Sequence, residues 1–226
     1  HIHDGTTQPR DVVFEPRKVA MQLRIIDDHT AELYQAPTPY WKLESCTRYA
    51  LLADGTLEVT FQCIPRAPTF ANGYLGVFFA SYIHQPESKA IHFWGHDRTN
   101  PSPRLIEATS PSHGVQATHR GTADQRDFKH AVDFSASLVF NFSDYRFEEP
   151  WYYGVSHRMA LAFVFRDGDG VRFSQSPTGG GKDNPAWDFQ WFIEHAEVGH
   201  TYTFVTRVLY VPFESPEQVM RKIRSK

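Results

Sequence analysis

Apolar residues in this chain recur at every second position in short runs, and turn residues close each run before a helix could form. Residues 178–194 show the pattern best. Gly179, Gly180 and Gly181 can bring backbone close to a partner or adopt positive φ, and Asn184-Pro185 then marks a turn. Beyond it Trp187, Phe189, Trp191 and Ile193 point one way, as a strand places them. Asp188, Gln190 and Glu194 point the other way, with Phe192 among them. The stretch is expected to anchor an apolar face in a core and to present a carboxylate and an amide beside a glycine loop, as binding sites do. A half-buried strand with a solvated outer face fits the same pattern.

The rest of the chain follows the same grammar. Residues 11–15, 19–26 and 31–34 read as strands, the last two joined by Asp27-Asp28-His29-Thr30. Residues 44–66 read as a hairpin about Asp54-Gly55, which sets Cys46 opposite Cys63 in a non-hydrogen-bonded pair. A disulfide there is geometrically possible and would favour a periplasmic or secreted location, whereas two buried free thiols would carry no such message. Residues 74–84 and 91–96 are expected to form a second, aromatic hairpin, and 115–118 and 136–142 two further short strands. Residues 157–165 and 171–174 flank Asp167-Gly168-Asp169-Gly170, which lacks the spacing and terminal Glu of a calcium loop and reads as a hairpin turn. Residues 201–211 alternate well. Only the end breaks the pattern. Ser215 caps, Pro216 takes the first helical position, Gln218 suits a capping box, and Arg221, Lys222 and Arg224 suit the negative end of a short helix.

About a dozen short strands in 226 residues imply one all-β domain spanning 1–226. The expected fold is a large antiparallel β-sandwich of supersandwich or jelly-roll type with a short C-terminal helix, offering a broad concave face. A net charge of −3 provides no basic field, so nucleic acid is not an expected partner. No apolar run reaches bilayer length, no signal peptide is visible, and the chain begins at His1. Aromatic residues make up 15%, a share that suits both strands and sugar-stacking surfaces.

Chemistry concentrates in two places. On the 91–96 strand, His92, Trp94 and His96 share one face, where Trp supplies a stacking platform and His a proton carrier. As a zinc pair the two histidines lie about 13 Å apart, too far to share a metal. Trp151-Tyr152-Tyr153 is followed by His157 and Arg158, giving rings for sugar faces and a guanidinium for a carboxylate or sulfate. On a uronide, Arg158 or Arg104 could neutralise the carboxylate while His157 or Tyr153 removes the C5 proton. Asp188 and Glu194 sit about 20 Å apart along one strand, so a glycosidase would have to pair Asp188 with a carboxylate from elsewhere. Asn141-Phe142-Ser143 is an N-glycosylation sequon. No metal or cofactor motif is evident, although a mature N-terminal histidine such as His1 can chelate copper when a second histidine is near.

Residues 74–96 and the segment Asn184-Pro-Ala-Trp-Asp-Phe189, with the preceding Ser-Pro-Thr-Gly-Gly-Gly, resemble uncharacterised bacterial proteins of the galactose mutarotase-like, or supersandwich, group. The mutarotase catalytic motifs are absent. The resemblance implies a carbohydrate ligand, and the group's theme is a histidine acid and an acidic base on a concave sheet. The expected function is therefore a carbohydrate-active enzyme of epimerase, lyase or hydrolase type. Its acid/base residues would come from His92, His96, His157, Arg158 and Asp188. Trp94, Trp151, Tyr153, Trp187, Gln190 and Arg104 would line the substrate. A non-catalytic carbohydrate-binding module needs the aromatics without the histidines, and a copper-dependent polysaccharide oxidase would use His1.

Overall fold

The computed structural model describes residues 1–134 and 136–226, which form two compact units. The first comprises His1–Phe78, Arg126–Ser135 and Trp191–Thr206, and the second Phe79–Gln125, Ala136–Gln190 and Arg207–Lys226. The chain is all-β and sandwich-like, with short helices only.

The first unit holds β1 (Ile2–His3), α1 (Arg10–Val13), β2 (Gln22–Asp27), β3 (Thr30–Gln35), β4 (Leu43–Leu51), β5 (Leu57–Pro65) and nearly all of β6 (Tyr74–Phe79). β1 pairs with β6, and β2 to β5 form an antiparallel meander. Its aromatic core stacks Trp41 on Phe70 at 5.3 Å and Phe128 on Phe192 at 4.5 Å. Residues 11–15, expected as a strand, turn helical instead. Pro9 opens the turn, and the Glu15 carboxylate accepts the backbone N–H groups of Tyr40 and Trp41 at 2.6 and 3.2 Å, which pins the segment across that core.

The cysteine pairing is one residue out of step with expectation. The hairpin loop is wider than Asp54-Gly55: Leu51 pairs with Leu57, and Leu52 N–H donates to the Thr56 carbonyl. Cys46 therefore faces Gln62, Cys63 faces Ser45, and the two thiols lie on opposite faces of the sheet. Both are free, and burial pushes the Cys63 thiol up to about 12. With both thiols free, the pair carries no sign of an oxidising compartment.

The second unit holds β7 (Ile91–Asp97), β8 (Arg104–Ala108), β9 (Thr118–Gly121), α2 (Ser137–Phe140), β10 (Phe142–Phe147), β11 (Trp151–Ser156), β12 (Met159–Phe165), β13 (Val171–Ser176) and α3 (Pro216–Arg224). β14 (Ala186–Glu194) and β15 (Tyr202–Pro212) contribute residues to both units. Strand order is β13-β9-β10-β7-β11-β12, with β8 added to β7. β9 and β10 run parallel, so the sheet is mixed rather than purely antiparallel. On one side Phe173 packs among Phe93, Phe147, Tyr152 and Phe165, with ring centroids 4.0 to 5.7 Å away.

Three expectations fail here for related reasons. The 74–96 hairpin is not formed, because β6 takes β1 and β7 takes β8, β10 and β11. Alternation fixes the face a residue takes, not the strand beside it. Gly168 and Val171 close a turn as expected, but β13 pairs with β9, so no hairpin follows. Within 136–142 a helical turn replaces a strand. The Leu138 carbonyl accepts Thr118 Oγ1 at 2.7 Å, Gln190 Nε2 at 3.0 Å and Ser174 Oγ at 3.1 Å, and a strand would spend that acceptor on a neighbour. At the chain's end the expected cap is present: Ser215 Oγ accepts Gln218 N–H at 3.2 Å. The Gln218 amide donates to the Pro212 carbonyl rather than completing a capping box.

Candidate functional site

Alternation along β7 buries Ile91, Phe93 and Gly95 on the aromatic side and leaves His92, Trp94 and His96 half-buried on the other. The expected row exists, although different strands flank it. Glu107 of β8 and Tyr153 of β11 stand opposite His92, Leu105 opposite Trp94, and Arg146 of β10 opposite His96.

At one end the row is closed. The Tyr153 ring stacks on His92 at 4.8 Å and 9°, and Trp151 stacks on Tyr153 at 6.4 Å. Burial lowers the basicity of His92, which Glu107, 3.9 Å away, only partly restores. Burial raises the Tyr153 phenol, with Glu217 and Glu107 adding to the effect, and its hydroxyl has no hydrogen-bond partner among the described residues. In the middle, Arg224 of α3 lies over the Trp94 ring at 5.2 Å. That guanidinium grips Glu149 in two bonds of 3.0 and 2.7 Å, and Trp151 Nε1 donates to the same carboxylate at 2.6 Å. Burial would raise the Glu149 carboxyl, but the Arg224 and Trp151 bonds outweigh it and hold it below its usual range.

At the other end the His96 ring is as sheltered as His92, 18% exposed against 16%, but it is bonded to a carboxylate rather than stacked. Glu148 N–H donates to the Trp94 carbonyl at 2.9 Å, bringing its side chain beside the strand. Glu148 Oε1 and His96 Nδ1 are 2.8 Å apart. With the proton on Nδ1 and donated to Glu148, Nε2 makes no hydrogen bond among the described residues and is left to exchange a proton. Glu148 and Glu149 precede Pro150-Trp151, an acidic pair at a strand corner absent from the expected site, as were Glu107 and Arg146, while Arg224 was expected only as a cation at a helix end.

The remaining expected site residues are elsewhere. His157 and Arg158 are the two central residues of the β11–β12 hairpin, both exposed with φ of 51° and 62°. His157 Nε2 lies 3.1 Å from the His84 carbonyl, and its N–H donates to Glu87 at 2.7 Å. Asp188 and Gln190 were expected to stand out from their strand, yet they are only 1% and 0% exposed. The strand is covered on both faces: Asp188 accepts the Ser81 N–H at 2.7 Å, and Gln190 bonds Ser174 and the Leu138 carbonyl. Trp187 is buried; its Nε1 donates to the Lys89 carbonyl, and its ring lies where a Cβ on Gly154 would stand, 2.5 Å away. The glycine loop packs on its own chain. Gly180 N–H donates to the Asn184 carbonyl, and a Cβ on Gly179 would meet that of Ala186 at 2.5 Å. Arg104 faces Gly95 rather than Trp94 and is bound to Asp97. The His1 ammonium donates to the Phe78 carbonyl at 2.7 Å, and no three His, Cys, Asp or Glu side chains gather as a metal set among the described residues.

No family model matches the chain, and no curated protein does. Among solved structures it is similar in fold to the α-N-acetylgalactosaminidase NagBb of Bifidobacterium bifidum in its GalNAc complex. The TM-score is 0.51 and the identity 9%, covering 91% of this chain and 30% of that one. The NagBb complex with Gal-NHAc-DNJ gives a TM-score of 0.50 at 10% identity, again over 91% and 30%. The chain thus spans about 30% of the NagBb length. Galactose 1-epimerase from Lactobacillus acidophilus NCFM is also among the neighbours, at a TM-score of 0.44 and 10% identity over 86% of this chain and 67% of that one. That overlap is too loose to build on. No helix is long and apolar enough to cross a membrane among the described residues.

Proposed function

We propose that the chain is a carbohydrate-active enzyme in which His96, oriented by Glu148, transfers a proton to or from a bound sugar. The observation that carries this reading is the 2.8 Å contact between His96 Nδ1 and Glu148 Oε1, half-buried on the strand face shared with Trp94. A carboxylate bonded to one imidazole nitrogen fixes the tautomer and steadies the imidazolium that forms when the other takes a proton. The fold-level likeness to NagBb, a glycosidase, supports a sugar as the ligand. His92 fits the role less well, since its ring is stacked on Tyr153 and its basicity is lowered. His157, Arg158 and Asp188 are not part of the proposed centre.

Turnover on a panel of neutral and uronic-acid saccharides tests the reading, with unsaturated products, new reducing ends and epimers followed together. His96→Asn should lower kcat by about 10²- to 10⁴-fold with sugar affinity kept. A wild-type chain that binds sugars but turns none over would instead be a carbohydrate-binding module. The half-exposed Trp94 is the observation that favours that second reading.

A further inference from the structure

One feature beside His96 serves neither the fold nor the proton transfer. Strand register sets Arg172 opposite Arg120, Arg120 opposite Arg146, and Arg146 opposite His96, so four cationic or potentially cationic side chains cross β13, β9, β10 and β7 in one line. Directly opposed residues have Cβ atoms only about 4.5–5.5 Å apart, and like charges there repel.

The protein answers this row unevenly. Arg172 is fully buried and paired with Asp124 at 2.8 Å. Arg146 donates to two neutral carbonyls, of Asp124 at 2.8 Å and Gly121 at 3.2 Å. Arg120 lies on the Phe142 ring at 4.1 Å, and neither it nor Arg146 has a side-chain carboxylate in an ion pair among the described residues. Asp144, the one acid on β10, pairs with Arg98 instead. Burial, and then the neighbouring Arg120 charge, lower the Arg146 guanidinium, and the Asp124 carboxylate only partly restores it. Two half-buried arginines opposite one another on neighbouring strands, with the Asp124 carboxylate bonded to Arg172, form a local excess of positive charge in a chain whose net charge is −3.

We propose that Arg120 and Arg146 bind an oxyanion of the substrate, the carboxylate of a uronic acid or the sulfate of a sulfated sugar, and thereby seat that sugar against His96. The proposal rests on the carbohydrate reading of this face and names the class of sugar. Guanidinium presents a rigid planar fork of donors that matches carboxylate and sulfate oxygens. The Phe142 ring holds Arg120 in place, while its N–H groups make no hydrogen bond among the described residues. The row is too short for a polyanion such as nucleic acid and the right size for one acidic group.

Calorimetric titration of the chain tests it with a uronic-acid oligosaccharide, a sulfated one, their neutral parent of equal length, and sodium sulfate alone. Each probe is repeated on Arg120→Gln and Arg146→Gln, with circular dichroism to confirm folding; Arg120→Lys replaces any variant that does not fold. Acidic saccharide should bind about ten- to a hundredfold tighter than neutral, and Arg120→Gln should abolish the difference. The acidic probe that binds tighter identifies the oxyanion. Equal binding of acidic and neutral sugars, unchanged in the variants, overturns the anion site and leaves the carbohydrate reading standing. Arg120-dependent binding of sulfate with no saccharide bound keeps the anion site and overturns the carbohydrate reading. Silence from every probe overturns both.

Discussion

The outer face of β7 and the β2–β5 meander are both sheet surfaces with one face turned to solvent, and they treat their side chains in opposite ways. On the meander, register lines Leu23, Leu33, Thr47 and Phe61 across four strands, and exposure grows from 7% at Phe61 to 61% at Leu23. Large apolar groups are thus left in water at the edge. Its polar face pairs Arg48 with Glu32 at 2.6 Å, with the arginine side chain 54% exposed. On the β7 face the order is inverted. Charged and polar groups are bonded and drawn in, with Arg172–Asp124 buried, His96–Glu148 half-buried and Arg224–Glu149 at the rim. Burying polar groups costs free energy unless they are well paired, and such arrangements concentrate where a protein has chemistry to perform. A row of exposed leucine and isoleucine says little about function, whereas a row of half-buried histidine and arginine says a good deal.

If that contrast is right, breaking the deepest pair on the second unit should have the largest effect. Arg172→Leu leaves Asp124 buried without its guanidinium and should cost about 3–5 kcal/mol, read from urea unfolding midpoints at constant slope. A loss under about 1 kcal/mol would mean that water reaches Asp124 and that the face is less buried than its geometry implies.

The next effect is one of pH. Burial holds His119 down to about 3, where its ring sits between Ser143 Oγ at 2.6 Å and Gln175 Nε2 at 2.8 Å. In the unfolded chain the same ring takes a proton at about 6.5, so the unfolded state binds more protons between those values. Stability is full above about pH 6.5 and falls as the pH drops, by about 1.4 kcal/mol per unit where only the unfolded chain is protonated. The lowered carboxyls, such as Asp97 and Glu149, begin to matter only below about 4.5, so the window from 6.5 to 4.5 belongs to His119 and, in part, His92. His119→Gln should flatten most of that slope in unfolding curves taken across the window. An unchanged slope would show that the charge enters elsewhere.

Smaller still is the difference between two arginine–carboxylate pairs of similar length. Arg224→Ala removes two bonds to Glu149 and the cover over Trp94, and should cost about 1 kcal/mol. Arg48→Ala on the meander should cost about 0.5 kcal/mol or less, because the Arg48 side chain is 54% exposed and engages Glu32 through one oxygen only. Equal losses would erase the distinction drawn between the two faces.

What the sequence made legible follows from the period of the strand. Alternation correctly placed His92, Trp94 and His96 on one face, since facing is decided within a strand. It misplaced Cys46 and Cys63 because register depends on loop width, and the loop at 52–56 is wider than its Asp-Gly signal. It misjudged Asp188 and Gln190 because alternation cannot report that a second layer covers the polar face; their partners, Ser81, Ser174 and the Leu138 carbonyl, come from distant segments. Glu148 and the arginine row were invisible for the same reason. Arg172, Arg120 and Arg146 are ordinary strand arginines until β13, β9 and β10 lie side by side, and the parallel β9–β10 pairing that achieves this has no local signature.

The smallest effect belongs to the exposed edge. Leu23 and Ile25, at 61% and 71% exposure, contribute little burial, so Ile25→Thr should change unfolding free energy by no more than about 0.5 kcal/mol. Solubility should respond where stability does not. β2 ends its strand order with unpaired backbone groups, and an apolar edge of that kind is a template for association. Ile25→Lys should therefore reduce concentration-dependent light scattering at unchanged stability. A substitution at Ile25 that cost 2 kcal/mol would show that this edge is packed in the folded protein, and the contrast with the β7 face would then be one of chemistry alone.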